Sequence, residues 1–230
     1  MWKKLFALFF IATLFAGCGT PVATQTTLKV KNSSSQNVVV WLTLGEVDGF
    51  VSNVNGIFGI TDSGLQGSFI LKASTEREYT PDKGISGNLS FGVNPINCPT
   101  TGFTNGVNIF EFSLNNESQA GTPQETIDIS NVAGVNSLLK ASLSGGGGWN
   151  AGTAHTGISS FQNAALYSNT GLVGVFPYGS DNCTSSVSPP LCTGSHPAYE
   201  TSQSEAICNV QRDAVNHGGI VTIEFLGFTP

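Results

Sequence analysis

The sequence predicts an all-β protein folded as an antiparallel β-sandwich, and three observations lead there. Glycine is 28 of 230 residues, methionine occurs once and only 10% of residues are charged, against about 25% in an average globular domain. A chain so poor in strong helix formers favours short strands joined by polar turns. β-branched and aromatic runs recur between clusters of Gly, Asn, Ser and Pro, the pattern of strands and turns. No stretch carries a long apolar stripe at 3.6-residue spacing. Hydrophobic residues make up 40% of the chain, enough for one large domain with a sizeable core.

The first residues stand apart from that pattern. Met1 to Lys4 is a short basic start, and Leu5 to Phe15 is an uncharged, mostly apolar run. It is too short to span a bilayer, which takes about 20 residues, and it fits the apolar region of a secretory signal. Ala16-Gly17-Cys18 follows. This resembles a bacterial lipobox, in which the cysteine is acylated and becomes the mature N-terminus. The usual Leu three residues before the cysteine is Phe15 here. An ordinary signal with a chance cysteine is the alternative. The expected organisation is a signal peptide at 1–17, a polar tether at 18–26 and the sandwich at 27–230. Loss of Lys3 and Lys4 takes the formal charge from −6 to about −8. Gly19 after the cysteine points to the outer membrane of the cell envelope, by the sorting rule it resembles.

Strand-like runs then follow in order. Leu28 to Lys31 alternates, and Val38 to Leu44 is VVVWLTL. Phe69 to Leu71, Leu89 to Val93, Val107 to Leu114, Thr126 to Ile129, Leu172 to Phe176 and Ile220 to Phe225 continue the series. Gly45 to Gly67 reads as an extended loop, and Gly145 to Gly148 as another that leaves Trp149 exposed. Ser159 to Tyr167 reads as a short helix, and Asn131 to Leu143 is ambiguous.

Cysteine count agrees with export. There are five, an odd number; with Cys18 set aside as the lipid site, Cys98, Cys183, Cys192 and Cys208 remain. Four allow two disulfides in an oxidising compartment, with three connectivities. Cys183–Cys192, enclosing a short loop with Pro189 and Pro190, and Cys98–Cys208 are favoured. No metal site is expected: Cys-x-x-Cys is absent, and His155, His196 and His217 keep no ligand spacing. These histidines read as surface or hydrogen-bonded structural residues. No cofactor motif, nucleophile elbow, P-loop or HExxH occurs. The net negative charge and scattered basic residues exclude nucleic acid as a partner. A monomer is expected.

A resemblance enters at the centre of the chain. Ile109-Phe110-Glu111-Phe112-Ser113-Leu114-Asn115, followed by Ile127-Asp128-Ile129-Ser130 and on to Gly134 and Asn136, resembles the core of the thaumatin-like (pathogenesis-related group 5) proteins. Leu28 to Trp41 resembles that family's opening strand pair. Phe176-Pro177-Tyr178-Gly179-Ser180-Asp181, Cys208 and Ile220 to Phe225 resemble its closing segment. The resemblance implies a thaumatin-like sandwich. The family's many cysteines and its long disulfide-rich second domain are reduced or absent here, since only Ala141 to Gly171 lies in that place.

Alternation assigns the site. Phe110, Phe112 and Leu114 share one face of their strand, Glu111 and Ser113 the other; Ile127 and Ile129 oppose Thr126, Asp128 and Ser130. With both apolar faces inward, Glu111 and Asp128 emerge on one surface. Two carboxylates there serve acid/base hydrolysis of a glycosidic bond, or accept hydrogen bonds from sugar hydroxyls without catalysis, or only bond backbone and solvent. The family carries an acidic cleft of one Arg, one Glu and three Asp, implicated in β-1,3-glucan binding and, in some members, cleavage. Glu111 matches the Glu, Asp128 the first Asp and Asp181 the third; the second is Ala133. The Arg position falls on Asn88 of Gly87-Asn88-Leu89-Ser90. Without that Arg the carboxylates are expected to stay ionised, leaving no proton donor. Trp41, Trp149, Tyr167, Tyr178 and Tyr199 are rings able to stack on sugars, although such rings more often anchor cores or loops. Trp149 is the preferred ligand contact.

Three functions fit these residues. One is a lipid-tethered module binding neutral carbohydrate of the β-glucan kind through Glu111, Asp128, Asp181 and Trp149. Another is a weak endo-β-1,3-glucanase with Glu111 and Asp128 as candidate catalytic residues. The third is an envelope interaction protein whose acidic face is incidental. The membrane expectation has a direct test: cells expressing the protein incorporate labelled palmitate into it, and Cys18→Ser abolishes the label. Unchanged labelling in that variant refutes the anchor.

Overall fold

The computed structural model describes residues 25–92, 107–116, 124–163, 172–177, 205–213 and 218–229. Two sheets face each other. The smaller has five strands in the order β11-β8-β14-β1-β4, and the larger has nine: β10-β9-β13-β7-β6-β5-β2-β3, with β12 also paired to β7. Pairing is antiparallel except β1 with β14 and β12 with β7, which are parallel.

β1 (Thr27–Asn32) and β2 (Val38–Leu44) alternate cleanly between buried and half-buried residues. They belong to different sheets, so the chain crosses the sandwich between them. Asn32 makes that crossing. Fully buried, it donates through Nδ2 to the carbonyls of Gln36, Leu71 and Lys72 and accepts from the Ser34 N–H and hydroxyl. A buried amide is tolerated there because its hydrogen-bonding groups are used.

β3 (Gln66–Leu71), β5 (Ile85–Gly92), β6 (Ile109–Leu114) and β7 (Gln124–Ser130) extend the large sheet. β8 (Ser137–Ser144) and β14 (Ile220–Phe228) carry the small one. Between them lies one core. Leu28, Val30, Leu89, Phe91, Phe110, Ile127, Ile223 and Phe225 are at or near zero exposure, and the Phe91 and Phe225 rings stack at 5.3 Å. Each such side chain contributes about 1.5–3 kcal/mol by leaving water. β4 (Glu76–Tyr79) is an edge strand. Its Glu76 and Glu78 flank Lys29 at 3.1 and 2.6 Å, and charge along a free edge discourages pairing with another chain.

Some segments differ from the sequence reading. Gly45 to Gly67 is largely the extended loop its composition predicts, with a 3-10 turn at Ile57–Gly59, but Phe50, Val51, Val54, Ile57, Phe58 and Ile60 in it are buried. It folds over one end of the sandwich, where apolar residues without period 2 still find cover. The helix expected at Ser159 to Tyr167 is in part β11 (Ser160–Gln162), paired with β8; 164–167 lie outside the described residues. The ambiguous Asn131 to Leu143 contains most of β8. β9 (Trp149–Ala151), β10 (His155–Ile158) and β13 (Val210–Asp213) were not foreseen. β12 is Val175–Phe176, and a four-residue helix, α1, spans Glu205–Cys208. Cys208 is buried; Cys18, Cys98, Cys183 and Cys192 lie outside the described residues, so both expected disulfides do too.

Thr26, assigned to the tether, is already part of the fold, fully buried beside an ion pair. Arg212 of β13 and Glu125 of β7 meet at 2.6 Å with almost no exposed side chain. Arg212 also donates to the Thr26 hydroxyl and the Gly218 carbonyl, each at 2.8 Å. The other Glu125 oxygen accepts the Asn115 N–H at 2.8 Å. Asn115 and Thr26 exchange two further bonds. Gly146, at φ 69°, lies against the guanidinium, and a Cβ there would overlap Arg212 and the Gly218 carbonyl.

Removing one partner leaves a buried charge uncompensated. Arg212→Met is expected to cost about 3–5 kcal/mol, read as a lower guanidinium midpoint. Adding Glu125→Gln, which still accepts from Asn115, recovers much of that loss; a double variant no better than the single contradicts the account.

Candidate functional site

The outward face of the large sheet carries the site, and register builds it. Thr43 of β2 pairs with Asn88 of β5, Asn88 with Glu111 of β6, and Glu111 with Asp128 of β7. Four consecutive strands therefore place one polar side chain each in a single line. The reason is the inward face. Leu42, Leu44, Leu89, Phe110, Phe112, Ile127 and Ile129 are all buried, and period 2 sends the residues between them outward. A second line, Ser86, Ser113 and Thr126, runs beside the first. Both border a cleft of ≈ 510 Å³ with Gly45, Phe176 and Asn209. None of its described lining residues is Lys or Arg.

Gly87 keeps the β2–β5 pairing tight under this line. A Cβ there would overlap the Thr43 carbonyl oxygen, so only glycine lets the two backbones approach so closely.

Asp128 occupies a seam. β13 pairs with β7 from Gln124 to Ile127, and β12 takes over at Ile129 and Ser130. Between the two, Asp128 is closed in, with 5% of its surface exposed. Burial, then the negative charge of Glu111 and a hydrogen bond with it, push the Asp128 carboxyl well above the ordinary aspartate range. Two carboxyls in contact resist ionising together, so the neutral form of Asp128 is favoured. The sequence expectation of ionised carboxylates took Asp128 as solvent-facing, whereas it is closed in.

Acceptors in this line are underused. Asp128 Oδ1, Asn88 Oδ1 and Thr43 Oγ1 are buried atoms without a hydrogen-bond partner among the described residues. Such groups are costly to bury without a partner.

The remaining expected site residues fall as follows. Trp149 is corrected: it is 3% exposed. β9 turns Trp149 and Ala151 inward, and the Arg212 guanidinium lies 4.3 Å from the ring centroid, so the ring serves the buried ion pair and not a ligand. Trp41 is half-buried on the outward face, opposite Ser90, with its indole N–H unpartnered. Asp181, Tyr167, Tyr178 and Tyr199 lie outside the described residues. Asn88, where the resemblance places an arginine, sits directly beside Glu111, so an amide replaces a cation at that point. Thr43 and Asn209 were missed; nothing in the sequence marks Asn209, whereas period 2 already put Thr43 on the Trp41 face. Among the described residues no three His, Cys, Asp or Glu side chains come together as metal ligands do.

The raised Asp128 fixes a sign. The folded chain binds this proton more tightly than the unfolded chain, so the contribution of Asp128 to stability is fully present below the ordinary aspartate range, about pH 4, and is lost as pH rises through the folded value. Calorimetric Tm measured against pH is expected to decline less steeply for Asp128→Asn than for the wild type, with the variant the more stable at neutral pH. Parallel curves contradict this protonation state.

No family model matches the chain, and no curated protein matches it. Among solved structures it is similar to the thaumatin-like xylanase inhibitor TLXI, with TM-score 0.42 and 11% identity over 86% of this chain and 97% of that one. It is also similar to the protein elicitor MoHrip2 from Magnaporthe oryzae, with TM-score 0.39 and 11% identity over 88% of this chain and 99% of that one. Both are likenesses of fold at low sequence identity.

Proposed function

We propose that this protein is exported, held at the cell envelope by a lipid on Cys18, and binds neutral carbohydrate of the β-glucan kind in the cleft without efficient catalysis. The observation that carries the binding role is the Glu111–Asp128 pair, set in register on the floor of a polar cleft of ≈ 510 Å³. A volume of that size suits a small-molecule or oligomeric ligand. Hydroxyl groups are the matching chemistry: they donate to the Glu111 carboxylate and accept from the Ser86 and Ser113 hydroxyls that line the cleft.

Geometry argues against hydrolysis. Retaining glycosidases hold their carboxyls about 5–5.5 Å apart and inverting ones about 6.5–9.5 Å. Glu111 and Asp128 are hydrogen-bonded to each other, too close for a sugar or a water to work between them.

The two carboxyls differ in how they tolerate substitution. Glu111 carries the negative charge, and a hydrogen bond to a charged acceptor is worth about 1.5–3 kcal/mol. Glu111→Gln is expected to weaken binding of soluble β-1,3-glucan by roughly ten- to hundredfold in affinity electrophoresis. Asp128→Asn copies a protonated carboxyl in shape and donor, so its affinity stays within a few-fold of wild type. Neither protein releases reducing sugar. A wild type that ignores the glucan, or a Glu111→Gln variant that binds it equally well, removes these residues from the site.

A further inference from the structure

We infer that the polar cluster around Thr26 makes this chain a tension link, one that passes a pull on the N-terminal segment straight to β6, β7 and β13 of the large sheet. The lipid on Cys18 proposed above makes that segment the point of attachment, and to that extent the inference rests on that reading; the cluster itself is a feature of the fold. Gln25 is exposed and Thr26, the next residue, is fully buried, so the chain enters the fold at one point. The N–H, carbonyl and hydroxyl oxygen of Thr26 are all engaged there. Its N–H donates to Asn115 Oδ1 at 2.8 Å, and its carbonyl accepts from Asn115 Nδ2 at 3.0 Å. Its hydroxyl oxygen accepts from Arg212 Nη2 at 2.8 Å and from the Gly218 N–H at 2.9 Å.

These partners belong to both sheets. β1 is in the small sheet, and Gly218 leads into β14 beside it. Asn115 follows β6, and Arg212 is in β13, both of the large sheet. Glu125 of β7 ties those two together: one oxygen takes Arg212 Nε at 2.6 Å, the other the Asn115 N–H at 2.8 Å. Without these bonds, a pull at Thr26 would reach the large sheet only through apolar contact across the core, and such contact has no preferred direction. Hydrogen bonds are directional, and buried ones have no water at hand to replace a lost partner. Behind the cluster, β1 pairs in parallel with β14 over six residues, from Thr27 with Ile220 to Asn32 with Phe225. Tension along β1 strains these pairs together and not one after another. The pull also arrives on the strands that border the cleft: Glu111 lies four residues before Asn115, and Asp128 three residues after Glu125. Whatever the outward face holds is thereby joined to the N-terminal attachment through bonded residues.

Single-molecule force measurements on the full chain test this in two geometries. In the first, one handle is at the N-terminus and the other at exposed Gln124 of β7, so the cluster lies between them. In the second, the N-terminal handle is moved to the C-terminus and the cluster is out of the path. Forced unfolding reads the unfolding rate. Thr26→Val fills the same space without the accepting hydroxyl. At a fixed force it is expected to unfold roughly ten- to hundredfold faster than wild type in the first geometry, the effect of about one hydrogen bond to a charged group, and to stay within about threefold of wild type in the second. The double variant Arg212→Met, Glu125→Gln, in which Asn115 keeps its bonds to Thr26, gives the same contrast should Thr26→Val not fold. Acceleration of both geometries alike assigns the cluster to general stability and overturns the inference, as does a wild-type rate in the first geometry. With a handle in place of the lipid, either failure leaves the anchor standing. Unchanged palmitate labelling of Cys18→Ser refutes the anchor, and this link with it as a tie to the membrane.

Discussion

The alignment of β6 against β7 is the constraint on which the site depends. A slip of one residue would turn every side chain of β7 to the opposite face, burying Asp128 in the apolar core and separating it from Glu111. The Glu125–Arg212 ion pair guards against that slip. Glu125 stands at the start of β7 and accepts the N–H of Asn115, the residue that follows β6; Arg212 then ties the same point to β13. Taking two charges out of water is expensive, and a well-packed apolar pair of like volume is often as stable. What the ions add is a requirement for one geometry. Only in this register are the carboxylate, the guanidinium, Thr26 and Gly218 all satisfied together.

The same network explains why the core motif was legible and its surroundings were not. Strands buried on one face write their fold into an alternation. Val38 to Leu44 is β2 residue for residue, and Phe110, Phe112 and Leu114 are buried as their spacing demands. Trp149 has no such flanking pattern: β9 is three residues long and follows a glycine run. Its burial comes from Arg212, which is distant in sequence and reads as a surface residue until Glu125 is brought beside it. The Gly45 to Gly67 segment is the loop its composition suggests, but its burial was not legible: its buried residues keep neither a two- nor a 3.6-residue period, and only tertiary packing covers them.

Asp128 shows the limit of reading a face from one strand. Alternation correctly separates it from Ile127 and Ile129, but facing away from the core is not the same as facing water. What closes over Asp128 is the handover from β13 to β12 along the outer edge of β7, with Asn209 and Phe176 on either side of it in the cleft wall. Those segments are separated from it by long stretches of chain: Leu172 to Phe176 reads as a strand and contains β12, but nothing local pairs it with β7, and β13 has no strand reading in the sequence. The carboxyl is therefore desolvated by neighbours whose placement no local pattern announces, and its proton affinity rises with them.

That change alters the charge the cleft presents. Counted from sequence, Glu111 and Asp128 bring two negative charges and no compensating arginine, and Asn88 in the arginine's place makes the imbalance look severe. Burial and the Glu111 charge favour the neutral form of Asp128, which eases that imbalance. The Asn88 amide then has a consistent role: it offers polarity beside Glu111 without the charge that would pull the proton from Asp128. A guanidinium at the same position would favour the ionised pair and favour an anionic ligand. The amide at Asn88 and the burial of Asp128 thus act in the same direction: neither favours the ionised form of the Asp128 carboxyl, which suits the neutral ligand proposed above.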